Sequence, residues 1–491
     1  MKYNETKLIA FLRTFTKDEL SEFEKFLDSP YFKKGRDLVP LYKTITKYHP
    51  GFPSDMFNED TLCAELFPGT DPGNQSSRNI LRTLSSSLFK MLEEFLIHSN
   101  IKKDPLLKNR TILQEVLNRN LTKYFESYSN TAFSELNEKL FDSGQSLEYF
   151  LLGSLNTWYY SNTLDYKNYF AQNFKSVEYI SNYFLVNILR FAKLRFFADA
   201  RSSVKGEKDI IELLIAEINV EQILKIYKDS PNYVSVGFHY YTYLSLINRN
   251  DFKSYEIAKK IFLDNKSQMS RAAMNYFYAD LTNIAVLQAH TFKNKNYMNE
   301  IFELFNLCLE AKAYKISDDE FMHPDFYRNV FLNAISMREF DWANKFVEKY
   351  SSELKPEFSD NMKFYSKALI SFEKKDFEMA LNNISNVQYV LVDFKIDIKV
   401  ISLKIFYELE LYEQAYSKID TFKHFLKTFM EMPAELKVVY TNFLKFYLKL
   451  LNCKAQGKKD EAQFLFVELT KDPNVSQKKW LLEKAEELKK R

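Results

Sequence analysis

The sequence predicts an all-α protein: a compact N-terminal helical domain, then a long series of helical hairpins stacked as an α-solenoid. Three observations carry this. Glycine is scarce, 9 of 491 residues, which argues against folds built on tight βα or hairpin turns. Apolar residues recur three and four apart through most of the chain, while sustained period-two alternation bounded by turn residues is missing. Finally, breakers are unevenly spread: residues 1–105 hold seven of the 12 prolines and four of the 9 glycines.

Within 1–105, Leu8, Phe11, Leu12 and Phe15 give a first helix. Thr16 followed three residues later by Glu19 forms a capping box, in which each side chain satisfies an exposed backbone donor. Leu20, Phe23, Phe26 and Leu27 make the stripe of that second helix, which Pro30 closes. Further helices are expected over about 36–48 and 58–67, and a turn-rich stretch over 68–77. The last helix of the domain, about 78–98, aligns Leu81, Leu84, Leu88, Met91 and Phe95. That stripe suits the domain's own core or, if exposed, a dimer seam.

From 106 to 230 the chain reads as helical and begins the array; 231–475 carries the repeats, and 476–491 a capping helix. Three segments in the second half match: EFDWANKF (339–346), DFEMALNN (376–383) and LYEQAYSK (411–418). In each, an aromatic (Phe340, Phe377, Tyr412) stands three residues before an alanine (Ala343, Ala380, Ala415), and Val347, Ile384 or Ile419 follows by four. The alanines lie 37 and 35 residues apart. The aromatic would pack where the second helix begins, and the small alanine would let two helices approach closely.

These segments resemble the tetratricopeptide repeat, a helical hairpin of about 34 residues with a small residue early in its second helix. The resemblance covers about 330–475 and extends more weakly from 230, where Tyr255 with Ala258 and Tyr297 with Glu300 keep part of it. The family's first-helix glycine is replaced here by Ala368 and Leu403. Gly457 and Ala462 mark a fourth unit, with Lys459 in the aromatic's place. The resemblance implies a superhelix that presents a concave face to a protein or peptide. In the last helix, Leu481, Ala485 and Leu488 share one face and the lysines lie elsewhere, as a solvated cap requires.

Composition bounds function. Lys+Arg 68 against Asp+Glu 65 leaves a net charge of +3, too small a field to recruit nucleic acid or an anionic membrane by itself. Residues 1–105 balance fifteen basic against fifteen acidic residues. The alternative reading is a regulator with a DNA-binding helix-turn-helix in 1–105 and a sensing repeat array. It would depend on Arg78 and Arg82, or on a face of Lys33, Lys34, Arg36, Lys43 and Lys47. Three isolated cysteines, Cys63, Cys308 and Cys453, point to a reducing, cytoplasmic setting. The most apolar stretch, 183–197, contains Asn187, Arg190, Lys193 and Arg195, which a spanning helix would not accommodate.

No residue pattern carries chemistry. No two glycines stand two apart, so a phosphate-cradling loop is excluded. The six histidines are scattered and Cys-x-x-Cys is missing, so neither a cofactor nor a metal is expected. The acidic run Ser317–Glu320 before His323, Pro324 and Asp325 reads as a capping box followed by a helix opened by Pro324. The expected role is thus a non-catalytic scaffold or adaptor. The candidate contact residues are Trp158, Tyr159, Tyr160, Tyr166 and Tyr169, with Phe170 beside them, since aromatics give large contact area at low entropic cost.

Overall fold

The computed structural model describes residues 3–33, 35–71, 74–136, 143–201, 210–248, 251–292, 295–388, 392–429 and 432–490. Among these residues every regular element is a helix. The chain divides into two compact units, Met1–Asn137 with Leu151–Ser176, and Glu138–Phe150 with Val177–Arg491.

The first unit follows its stripes. Helix Lys17–Asp28 begins with the Thr16/Glu19 capping box: the Glu19 N–H donates to Thr16 Oγ1 at 3.2 Å, and the Thr16 N–H to Glu19 Oε2 at 2.9 Å. Helix Glu59–Leu66 is capped by Asn58, whose side chain accepts from the Thr61 N–H. Phe23, Leu27, Leu41, Ile45 and Leu62 close over Leu81, Leu88, Leu92 and Phe95 of the helix Gln75–Lys103. Leu81, Leu88 and Phe95 of the 78–98 stripe are therefore buried in their own unit's core, with Leu84 and Met91 packed half-buried against it.

In the second unit, helices pair in chain order. Asn232–Ile247 packs on Phe252–Asn265, Arg271–Phe292 on Lys295–Glu310, and Pro324–Ser336 on Phe340–Tyr350. Pro356–Glu373 then packs on Phe377–Ser385, Val392–Glu408 on Tyr412–Thr428, and Ala434–Gln456 on Lys459–Lys471. Helix Lys478–Lys490 lies against both members of the last pair. One apolar cluster runs through all of them, from Val234 to Ala485.

Phe340, Phe377 and Tyr412 are each the first residue of their helix. Ala343, Ala380 and Ala415 are fully buried, and so is Ala462. Two residues before each of these helices, the chain turns through the left-handed region, at Arg338 (φ 62°), Lys375 (φ 64°), Glu410 (φ 57°) and Gly457 (φ 65°). At Arg338 the turn closes with two bonds, Arg338 N–H to Ile335 O and Glu339 N–H to Ala334 O, which satisfy carbonyls left open at the helix end. The same pair recurs at Lys375, with Phe372 O and Ser371 O, and at Glu410, with Tyr407 O and Phe406 O. One turn geometry thus sets the hairpin angle repeatedly, and only one of these four sites uses glycine.

The connection 311–323 opens with the same turn, at Lys312 (φ 52°), but runs on much longer. Ser317 caps no helix; Glu320 instead accepts from the Ile316 N–H at 2.9 Å, inside a run of turns. The capping-box reading of Ser317–Glu320 is corrected accordingly: the four-residue pattern arises in a loop because no apolar stripe follows it to pay for a helix. Pro324 does open the next helix, and His323 accepts from the Asp325 N–H at its start. The loop is fastened on both sides, by Arg271–Asp318 at 2.6 Å and Lys315–Glu353 at 2.8 Å.

Candidate binding cavity

Where that loop separates two hairpins, a cavity of about 600 Å³ opens. One wall is the helix Arg271–Phe292, which contributes Asn275, Tyr278, Ala279, Thr282, Asn283 and Val286. Helix Lys295–Glu310 supplies Met298, Ile301, Phe305 and Cys308, and helix Pro324–Ser336 supplies Phe326, Asn329, Leu332, Asn333 and Ser336. The volume is within the usual range for ligand sites, about 300–1,000 Å³. Among the described residues, none that lines it is charged.

The polar atoms on these walls are unequally satisfied. Asn275 Nδ2 donates to Ala313 O at 2.7 Å, and Asn329 Oδ1 accepts from Arg328 at 3.3 Å. Tyr278 Oη and Asn333 Oδ1 are buried with no hydrogen-bond partner, on residues only 2% and 7% exposed. Buried polar groups are nearly always paired, and leaving one idle costs about 1–3 kcal/mol. Burial, reinforced by Cys308 and Glu310 nearby, pushes the Tyr278 hydroxyl up to about 12, so it stays protonated and able to donate. Burial likewise pushes the Cys308 thiol up to about 12, which leaves it un-ionised as part of the wall.

The sequence-selected aromatics lie elsewhere, on the helices Ser143–Asn162 and Tyr166–Arg201. Tyr159 stacks on Phe125 with ring centroids 4.1 Å apart, and Tyr160 meets Tyr159 edge-on. Tyr169 meets Phe170 edge-on at 5.2 Å. Trp158, Tyr166 and Phe170 are exposed. The group is thus part packing and part surface, and these contacts do not gather it into one pocket.

Five of the seven basic residues that a DNA-binding reading would use pair with carboxylates. Arg78 pairs with Asp60 at 2.6 Å, Arg82 with Glu59 at 3.0 Å, and Lys47 with Glu65 at 2.6 Å. Lys43 pairs with Glu24 and Lys33 with Asp28 and Asp37; Lys34 lies outside the described residues.

A cluster the sequence did not reveal joins three helices of the second unit. Lys193, 2% exposed, pairs with Asp280 and donates to His239 Nδ1 and Thr242 Oγ1, both at 3.0 Å. Burial pulls the Lys193 pKa down against the opposing pull of Asp280. Burial, then the neighbouring Lys193 charge, holds His239 well below its ordinary value, so its ring is neutral and accepts. The arrangement ties helices together through a satisfied buried network. Elsewhere, no group of three metal-ligating side chains converges and no helix is long and apolar enough to cross a membrane, among the described residues.

No family model matches this chain, and neither a characterised protein nor a solved structure is similar enough to match. Its function rests on its own geometry.

Proposed function

We propose that this protein is a non-catalytic scaffold or adaptor. In this reading an N-terminal helical domain is followed by a solenoid of tetratricopeptide-like hairpins, and a protein or peptide segment seats in the groove between hairpins. Three features support the architecture: chain-order pairing of helices, the repeated left-handed turn, and the buried alanine three residues into four of the six second helices. Stacked pairs bury a continuous core and leave an extended surface for ligands.

The observation that carries the reading is the cavity beside the helix Arg271–Phe292, lined by apolar and uncharged polar side chains. An uncharged recess of that size, bordered by carboxamides, is what a binding site needs and what a well-packed core avoids. The test is binding of the full chain to an array of overlapping peptides from its native proteome, with Ala279→Trp as the comparison. Ala279 lines the cavity and is exposed, so an indole there fills the space without disturbing the core. Captured peptides are expected to be lost by Ala279→Trp. Retention of all of them would exclude the cavity as the docking place.

A further inference from the structure

Away from the residues that line the cavity, the hairpin of helices Val392–Glu408 and Tyr412–Thr428 gathers like charges. Lys399 Nζ lies over two rings of the facing helix, 5.9 Å from the centroid of Phe422 and 5.7 Å from that of Phe425. Lys395 stands one turn before Lys399 on its helix, and Lys418 one turn before Phe422 on the other. The two helices of a hairpin run antiparallel, so Lys395 and Lys418 flank Lys399 from opposite ends, each about 6 Å along the axis. All three are half-buried. Burial, then the charges of Lys418 and Lys395, pulls the Lys399 ammonium below its ordinary value. Two other described lysines are pulled down by burial, and both have acids to oppose it: Asp280 beside Lys193, and Glu373, Glu408 and Glu483 around Lys404. The acid nearest to Lys399 along its helix, Asp397, is turned to Arg328 and Tyr365 instead.

We propose that Lys395, Lys399 and Lys418 form a binding site for a phosphomonoester group, the dianionic form of phosphate. Like charges one turn apart destabilise a helix, and half-buried ammoniums give up hydration; an anion seated among them offsets both. A carboxylate would bring one charge and two oxygens. A phosphomonoester brings nearly two charges and three acceptor oxygens, one for each ammonium. Lysine serves phosphate as a point charge, with no planar fork to favour a carboxylate. A nucleic-acid strand fits less well, since each of its phosphates carries one charge and its affinity needs many basic contacts, against a net charge of +3 here. Phe422 and Phe425 hold the Lys399 ammonium in place without neutralising it. The group can come from a free phosphate compound or from a phosphorylated side chain of a protein segment, and the three ammoniums recognise what the two share.

The test is titration calorimetry of the full chain in low salt at pH 7.5. Its probes are inorganic phosphate, a capped Ala-phosphoserine-Ala peptide, the same peptide unphosphorylated, and an oligothymidylate. Both phosphates are expected to bind, and the unphosphorylated peptide to bind at least about tenfold more weakly. Lys399→Met keeps an apolar stem over the rings while removing the charge, and is expected to weaken both phosphates by about tenfold or more. Lys395→Met and Lys418→Met are expected to cost about threefold each. Lys423→Met, an exposed lysine paired with Asp420 on the same helix, is expected to change nothing. Circular dichroism checks that each variant folds, and phosphate should raise the melting temperature of the wild type but not of Lys399→Met. Tighter phosphopeptide supports the site with a phosphorylated segment as its source; tighter inorganic phosphate supports it with a free phosphate compound. Binding of neither phosphate, binding that survives Lys399→Met or falls equally in Lys423→Met, or an unphosphorylated peptide that binds as tightly overturns the site. Oligothymidylate that binds more tightly than either phosphate and is lost by Lys399→Met overturns the phosphomonoester in favour of a nucleic-acid strand.

Discussion

Tyr278 Oη and Asn333 Oδ1, the two idle atoms on residues beside the cavity, make a counter-intuitive expectation, that deleting them strengthens the free protein. Tyr278→Phe removes a hydroxyl buried without a partner while leaving a ring that already packs edge-on against Phe262 at 4.6 Å. Asn333→Leu replaces an amide of similar size on a 7% exposed residue. Since an unpaired buried polar group costs about 1–3 kcal/mol, each change should stabilise by about 1 kcal/mol. Most substitutions destabilise by about that much, so the sign is the diagnostic. With two compact units, global unfolding need not be two-state. The measurement is therefore hydrogen exchange across urea, read on peptides spanning 271–336, where local opening free energies report directly. Loss of about 1 kcal/mol or more in either variant would show that the group already has a partner within the fold.

Other expectations bear on the fold. Ala380→Glu should cost at least about 3 kcal/mol, because it puts an unpaired charge between packed helices at a fully buried position; an unchanged melting temperature would contradict the hairpin packing. Lys375→Gly should stabilise by about 0.5–1 kcal/mol, since its φ of 64° strains a side chain but not glycine; calorimetry showing a loss would refute this. His239 is held well below its ordinary value, so the unfolded chain takes up a proton first as pH falls. Its stabilising contribution is present above about pH 6.5 and is lost below it, by up to about 1.4 kcal/mol per pH unit. Denaturation at pH 7 and pH 5.5 should show that slope, and His239→Gln should flatten it.

The hairpins were legible because packing writes itself into residue size. Ala343, Ala380 and Ala415 had to be small, and an aromatic marks the start of each helix before them. The turns were not legible. Arg338, Lys375 and Glu410 hold backbone conformations that usually announce themselves as glycine, and here the helix-end hydrogen bonds impose them on charged residues. The acidic run 317–320 was misread for the converse reason: a cap pattern is local, and only an apolar stripe beyond it makes a helix. The cavity left a fainter trace. Asn275 and Asn283 stand eight apart and Asn329 and Asn333 four apart, so each pair shares one helix face. Neutral amides at that spacing look like a solvated surface until the long 311–323 connection is seen to part the two hairpins. The Lys193, His239 and Asp280 network joins positions up to 87 residues apart, beyond the reach of any pattern along the chain.

The central claim, that an uncharged cavity between hairpins receives a protein segment, is tested most directly by mapping where a ligand slows exchange. Hydrogen exchange of the full chain should be compared with and without a saturating peptide captured from the proteome array. The expected result is slowing over 275–289 and 326–336, with the exposed aromatics around 158–170 unaffected. Slowing confined to 158–170, or none anywhere at saturation, would contradict it.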